Sequence, residues 1–196
     1  MTTSMIHKWD DESFFEKAEV SYTVEGSTCN LVLTRLAYKD HKVITGITLL
    51  AGTNKLNSGS TNGTIRIWDC HTGQSLKVIN FGTEVNSLIS EGPWIFVGLK
   101  NAIKALNTKT NLQYTLDGPK GRILHMIVGN NILFTGRGNL VCMYELPSFS
   151  ERGRLFARKD ITSFALGADR GLFFTGDGTG LLRIWKRNEL SKVASN

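Results

Sequence analysis

Few residues in this chain have the types and spacing that chemistry needs. Gly176-Asp177-Gly178-Thr179-Gly180 has the look of a phosphate-cradling loop. Such a loop needs a helix behind it, whose N-terminal amides meet the anion, and often a lysine. Here the apolar run Leu181-Leu182-Arg183-Ile184-Trp185 follows, so a strand is expected and the glycines should turn a hairpin. Cys70-His71 is half of a metal site, but no second pair stands at ligand spacing. His125 falls in an apolar run and reads as a packed core histidine. The histidines lie at unrelated positions, so no Ser/His/Asp or Cys/His grouping can be assembled. Asn62-Gly63-Thr64 is formally a glycosylation acceptor, but a turn accounts for it. No enzyme activity, metal or cofactor is expected.

The elements that carry these residues repeat. A small or apolar residue plus glycine ends an apolar run four times, at Gly59, Gly98, Gly136 and Gly176, spaced 39, 38 and 40 residues. A bulky residue follows each glycine by eight or nine positions: Trp68, Leu106, Tyr144 and Trp185. A period near forty is that of a four-stranded propeller blade, and Trp68-Asp69 is its Trp-Asp signature. In the first copy, strands are expected at 43–50, 55–58, 65–69 and 75–79, with Asn62-Gly63 supplying the positive φ angles of the central hairpin.

The expected fold is all-β, WD-repeat β-propeller-like, with four blades of antiparallel strands at about 41–80, 83–116, 122–158 and 161–185. The last blade lacks a fourth strand. Asn30–Leu36 is strand-like and belongs to no blade, so it is expected to pair with the last blade and close the ring. The propeller-like domain is placed at 28–187. Residues 1–27 are read as a flexible acidic tail, with one or two helical turns conceivable at 11–18, and 188–196 as a polar tail. Gly59, Gly98, Gly136 and Gly176 are structural residues in this scheme. Trp68 and Trp185 are expected to pack between blades rather than to stack on bases.

The 196 residues carry 23 Lys+Arg against 17 Asp+Glu, a net charge of +6. That is ordinary solubility charge. Three scattered cysteines give no disulfide framework and suit a reducing compartment. With no signal-peptide-like start and no membrane span, an intracellular chain of cytoplasm or nucleus is expected. Cations exceed acids by three on one expected rim and by two on the other. A nucleic-acid face should be more lopsided. The rim cations Lys42, Arg122, Arg137 and Lys159 are the candidate partner contacts.

Several segments resemble the plant CCCH zinc-finger proteins with WD repeats, over about Cys29 to Trp185: 56–79, 89–98, 145–154 and 171–185. His71-Thr72-Gly73-Gln74 and Ile89-Ser90-Glu91-Gly92-Pro93-Trp94 are the most specific of these. WD blades carry a buried set of His, Asp, Ser/Thr and Trp, which resembles His41, Asn62, Ser58 and Trp68, with asparagine in place of aspartate. The resemblance implies a propeller and an interaction scaffold, with nucleic-acid-associated regulation as the alternative. Two features depart from the family. No three cysteines and a histidine stand close enough for a CCCH finger, and four copies replace seven blades. Residues 123–136 resemble a middle blade and those from Val141 the end of a late one, so the third copy reads as a join across missing blades. A shortened paralogue, a splice variant or an imperfect gene model follows, with little independent function as a third reading. Other proteins are the expected partners, including a second copy through open blade edges. Nucleic acid is permitted but not favoured, and no membrane is expected.

Overall fold

The structure is a computed structural model. It describes residues 8–10, 13–24, 27–38, 42–167 and 171–186, with side chains from residue 42 onward except Pro119. Among the described residues every element is a strand. The first three, β1 (Lys8–Asp10), β2 (Ser13–Val24) and β3 (Ser27–Tyr38), pair in that order in one antiparallel sheet. Blade 1 follows as β4 (Ile44–Leu49), β5 (Lys55–Ser60), β6 (Thr64–Asp69) and β7 (Ser75–Asn80). Blade 2 is β8 (Ser87–Glu91), β9 (Trp94–Gly98), β10 (Lys100–Asn107) and β11 (Gln113–Arg122). Blade 3 is β12 (His125–Gly129), β13 (Ile132–Arg137), β14 (Leu140–Glu145) and β15 (Glu151–Phe156). Blade 4 is β16 (Ile161–Leu166), β17 (Leu172–Asp177) and β18 (Leu182–Lys186). Each blade is an antiparallel meander.

Two expectations are corrected at the N-terminus. Residues 13–24 form a strand rather than part of a flexible tail or helical turns. The cause is their period-2 pattern: Ala18, Val20, Tyr22 and Val24 alternate with Lys17, Glu19, Ser21 and Thr23. Asn30–Leu36 is a strand, within β3, but its partner is β2, from Ser13↔Tyr38 to Val24↔Ser27. It does not pair with blade 4, which has three strands among the described residues. A partner two residues away along the chain is reached at far smaller loop-closure cost than one at the opposite end. His41 and the tail 188–196 lie outside the described residues.

The blades stack face to face, with β4 beside β8, β8 beside β12, and β12 beside β16. One apolar cluster fills each interface. Ile65, Val85, Leu88, Ile95 and Val97 lie between blades 1 and 2. Phe96, Ile103, Ile123, Leu133 and Tyr144 lie between blades 2 and 3. Phe134, Val141, Ile161 and Phe173 lie between blades 3 and 4.

Three of the repeated glycines, Gly59, Gly98 and Gly136, lie where neighbouring blades touch closely. A Cβ on Gly59 would lie 2.5 Å from the Val85 side chain of blade 2, and one on Gly136 would collide with the Phe164 ring of blade 4. Beside each glycine the next blade enters through a backbone hydrogen bond. The Val85 N–H donates to Ser60 O (3.1 Å), Ile123 to Leu99 O (3.3 Å) and Ile161 to Gly138 O (2.8 Å). Val85 and Ile123 are fully buried and Ile161 is 4% exposed. Hydroxyls complete two of these joints: Thr45 Oγ1 donates to Val85 O (2.5 Å), and Ser87 Oγ to Ile123 O (2.7 Å).

The tryptophans fix the middle strands. Trp68 Nε1 donates to Ser58 Oγ (2.8 Å) and Trp185 Nε1 to Thr175 Oγ1 (3.0 Å). In the first hairpin Gly63 alone takes a positive φ, of 86°. Asn62 instead accepts the Thr64 N–H on its side-chain oxygen (3.0 Å). Asp69 caps the next turn by accepting the His71 and Thr72 amides, each at 2.8 Å. Those amides, Thr72 first, hold its carboxyl below the usual carboxylate range. The phosphate-loop lookalike is a hairpin joining β17 to β18, pinned by Asp177. That carboxylate accepts the Thr179 hydroxyl (2.6 Å) and the Arg183 guanidinium (2.7 Å). The Thr179 hydroxyl first, and Arg183 second, hold it well below the ordinary range.

Gly98→Ala is expected to destabilise the chain by about 1–3 kcal/mol, because the new Cβ meets Ser87 Oγ and lies 2.8 Å from the Ile123 carbonyl oxygen. Gly178→Ala, whose Cβ has only a methyl at 4.0 Å, should stay within about 0.5 kcal/mol of the parent in the same urea titration.

Candidate interaction site

The four rim cations all lie at the end of the blades where inner strands begin. Lys42 precedes β4, Arg122 ends β11 before β12, Arg137 ends β13, and Lys159 precedes β16; all four are exposed. Arg122 is paired with Glu84 at 2.7 Å. The Arg137 guanidinium lies over Gly121, next to Arg122 in the chain. Lys42 and Lys159 enter the first and last blades, so the four do not form one cluster.

A second feature was not read from the sequence. A groove of about 1050 Å³ opens between blades 1 and 2, on the side of their outer strands. Its apolar floor includes Ile67, Ile79, Leu106 and Leu112. Lys55, Lys77 and Lys109 line it, and among the described residues no acidic side chain does. Asn57, 1% exposed, also lines it, and its Oδ1 has no hydrogen-bond partner among the described residues. A buried amide oxygen without a partner costs free energy.

The next interface shows why this groove is open. Between blades 2 and 3 the same space is plugged by Phe149, from the turn between β14 and β15. Its ring lies 4.9 Å from Trp94, 5.0 Å from Tyr114 and 6.3 Å from Phe96. Phe149 takes a positive φ of 59° and its N–H donates to Glu145 O at 2.7 Å. The corresponding residue of blade 2 is Asn111, with φ 58° and its N–H on Asn107 O at 3.0 Å. By strand register, Trp94, Phe96 and Tyr114 correspond to Lys55, Asn57 and Lys77 of blade 1. An aromatic cage with its aromatic plug has thus become a cationic, polar cage without one.

Among the described residues no group of three His, Cys, Asp or Glu is placed to hold a metal. His125 is half-buried in β12, beside the Phe164 ring at 5.7 Å, and burial lowers its pKa. Cys142 is buried in β14, where burial pushes the thiol up. No helix among the described residues is long and apolar enough to cross a membrane.

Known proteins match both the repeats and the fold. A family model described as a domain of unknown function, DUF8227, matches residues 1–87. Zinc finger CCCH domain-containing protein 17 of rice (Oryza sativa subsp. japonica) is 28% identical over 308 residues, covering 90% of this chain and 70% of the relative. Zinc finger CCCH domain-containing protein 62 of Arabidopsis thaliana is 36% identical over 163 residues, covering 78% of this chain. The chain is similar to plant CCCH zinc-finger proteins over most of its length. It spans only 38% of the Arabidopsis protein. The WD repeat-containing protein 89 homolog of Dictyostelium discoideum is 30% identical over 104 residues, half of this chain and 29% of that protein. A chain of the mitotic checkpoint complex superposes with a TM-score of 0.68 at 17% identity, covering 93% of this chain and 62% of that one. The fold is therefore an all-β, WD-like propeller arrangement. The finger that names the plant relatives is not evident here: Cys29, Cys70 and Cys142 are far apart.

The rice alignment also bears on blade number. Nine-tenths of 196 residues, about 176, are matched across 308 positions. About 130 positions of the relative therefore have no counterpart here, roughly three blades at the forty-residue period.

Phe149→Ala should open the second groove and cost about 1–3 kcal/mol, less than the roughly 3–5 kcal/mol of truncating a fully buried aromatic because the ring is only half-buried. Urea unfolding measures this; a loss below about 0.5 kcal/mol would show that the plug holds nothing.

Proposed function

We propose that the chain is a non-enzymatic, intracellular interaction scaffold that holds an acidic peptide segment in the groove between blades 1 and 2. The observation that carries this reading is the replacement of plug and cage together. Asn111 stands where the next interface has the Phe149 plug, and Lys55 and Lys77 stand at the strand positions of Trp94 and Tyr114. A carboxylate-bearing peptide would neutralise those cations and lay an apolar side chain on Leu106 and Leu112. The rigid blades supply preorganisation, which lowers the entropic cost of binding. The rim residues Lys42, Arg122, Arg137 and Lys159 remain proposed contacts for a larger partner.

Fluorescence anisotropy with a labelled peptide of alternating acidic and aromatic residues tests the reading. Binding should weaken as salt rises, fall at least tenfold in Lys55→Glu/Lys77→Glu, and be blocked in Asn111→Phe, which restores the plug. A basic peptide should not bind. Tighter binding of single-stranded RNA than of the acidic peptide would overturn this reading in favour of nucleic-acid-associated regulation.

A further inference from the structure

We propose that blade 4 of one copy closes on blade 1 of a second copy, so that two chains complete one ring through two identical joints. The argument rests on a joint made three times within the chain and left half-made at each end. The residue that enters each joint from the following blade is Val85, Ile123 or Ile161. In blade 1 the residue at that position is Ile44, which pairs with Ser60 as Ile161 pairs with Asp177. The first three are at most 4% exposed, whereas Ile44 is 52% exposed. Behind it on the same strand, Ile47 and Leu49 are 64% and 61% exposed. Their blade 4 counterparts, Phe164 and Leu166, pack against blade 3.

The other end holds the receiving half. Ile65, Ile103 and Val141 face the following blade with no exposed surface. By register their blade 4 counterpart is Leu182, which is 64% exposed, with Ile184 beside it at 65%. The notch glycine is kept at Gly176, yet a Cβ there would meet only Ser163 of its own blade. Polar parts are kept too. Thr45 Oγ1 bridges Gly59 O at 3.3 Å and the incoming Val85 O at 2.5 Å. Its counterpart Thr162 reaches Gly176 O at 3.3 Å and, among the described residues, has no incoming carbonyl. Ser60 O accepts Gly63 N and the incoming Val85 N, each at 3.1 Å; Asp177 O accepts Gly180 N at 3.1 Å.

In the joint between copies, Ile44 of the second chain enters beside Gly176 and covers Leu182. Its N–H donates to Asp177 O, and Thr162 Oγ1 donates to its carbonyl. The two ends fit each other because each keeps its half of the joint that the chain makes three times between its own blades. Among the described residues of one chain both faces stay exposed, and the second copy supplies a cover for each. Contact is face to face, not through strand edges.

Size-exclusion chromatography with light scattering on the full chain should give twice the chain mass. Ile44→Asp and Leu182→Asp should each give a monomer with unchanged circular dichroism, since both positions are exposed in the single chain. An equimolar mixture of the two variants should regain dimer, more weakly, because one of its two joints is unmutated. A parent that runs as a monomer, an open ladder of larger species, or a mixture that stays monomeric would overturn the proposal. These outcomes are independent of peptide binding in the groove.

Discussion

The fold hangs on one contact: a branched residue, Val85, Ile123 or Ile161, that leads into the inner strand of blade 2, 3 or 4 and is tied by its own amide to the backbone of the preceding blade. Val85 against Gly59 is the clearest instance, with its N–H on Ser60 O. A blade is a four-stranded meander that cannot bury both faces alone. The contact sets the distance at which apolar faces meet, so the three clusters between blades depend on it. Without the glycine the sheets would stand apart by at least a methyl group, and close packing would be lost. The same contact explains the cost at the ends. In a single chain Ile44, Ile47, Leu49, Leu182 and Ile184 stay 52–65% exposed, each forgoing about 1–2 kcal/mol of burial.

Function follows from departures from the repeat rather than from the repeat itself. Where Phe149 plugs the gap between blades, two sheets become one rigid body. Where Asn111 stands instead, the gap becomes a groove with three lysines and an unpartnered amide oxygen. The groove leaves apolar surface uncovered, a cost that a ligand would offset.

Much of the fold was legible because its signals are local. The glycines at Gly59, Gly98, Gly136 and Gly176 mark one strand end per blade, and the hairpins follow them. Strand β2 was missed because its acidic residues outweighed its alternation, although Ala18, Val20, Tyr22 and Val24 carry the period. The partner of β3 was misassigned because strand character does not state which edge a strand meets; the short link to β2 decides that. Asn62-Gly63 was read as two positive-φ residues, whereas asparagine caps the turn with its side chain. The groove was not legible at all. It is a relation between Asn111 and residues of another blade, and nothing near Asn111 in the chain announces it. A comparison of the repeats position by position, Phe149 against Asn111, is the signal that would have found it.

The measurement that tests the account most directly is residue-resolved amide hydrogen exchange on the native chain. The Val85, Ile123 and Ile161 amides should exchange as slowly as those of the middle strands β9 and β13, because they open only when blades separate. Exchange at these three as fast as at Gly52 or Gly92, in the turns, would mean that the blades are not tied at these joints, and the account of the fold would fail.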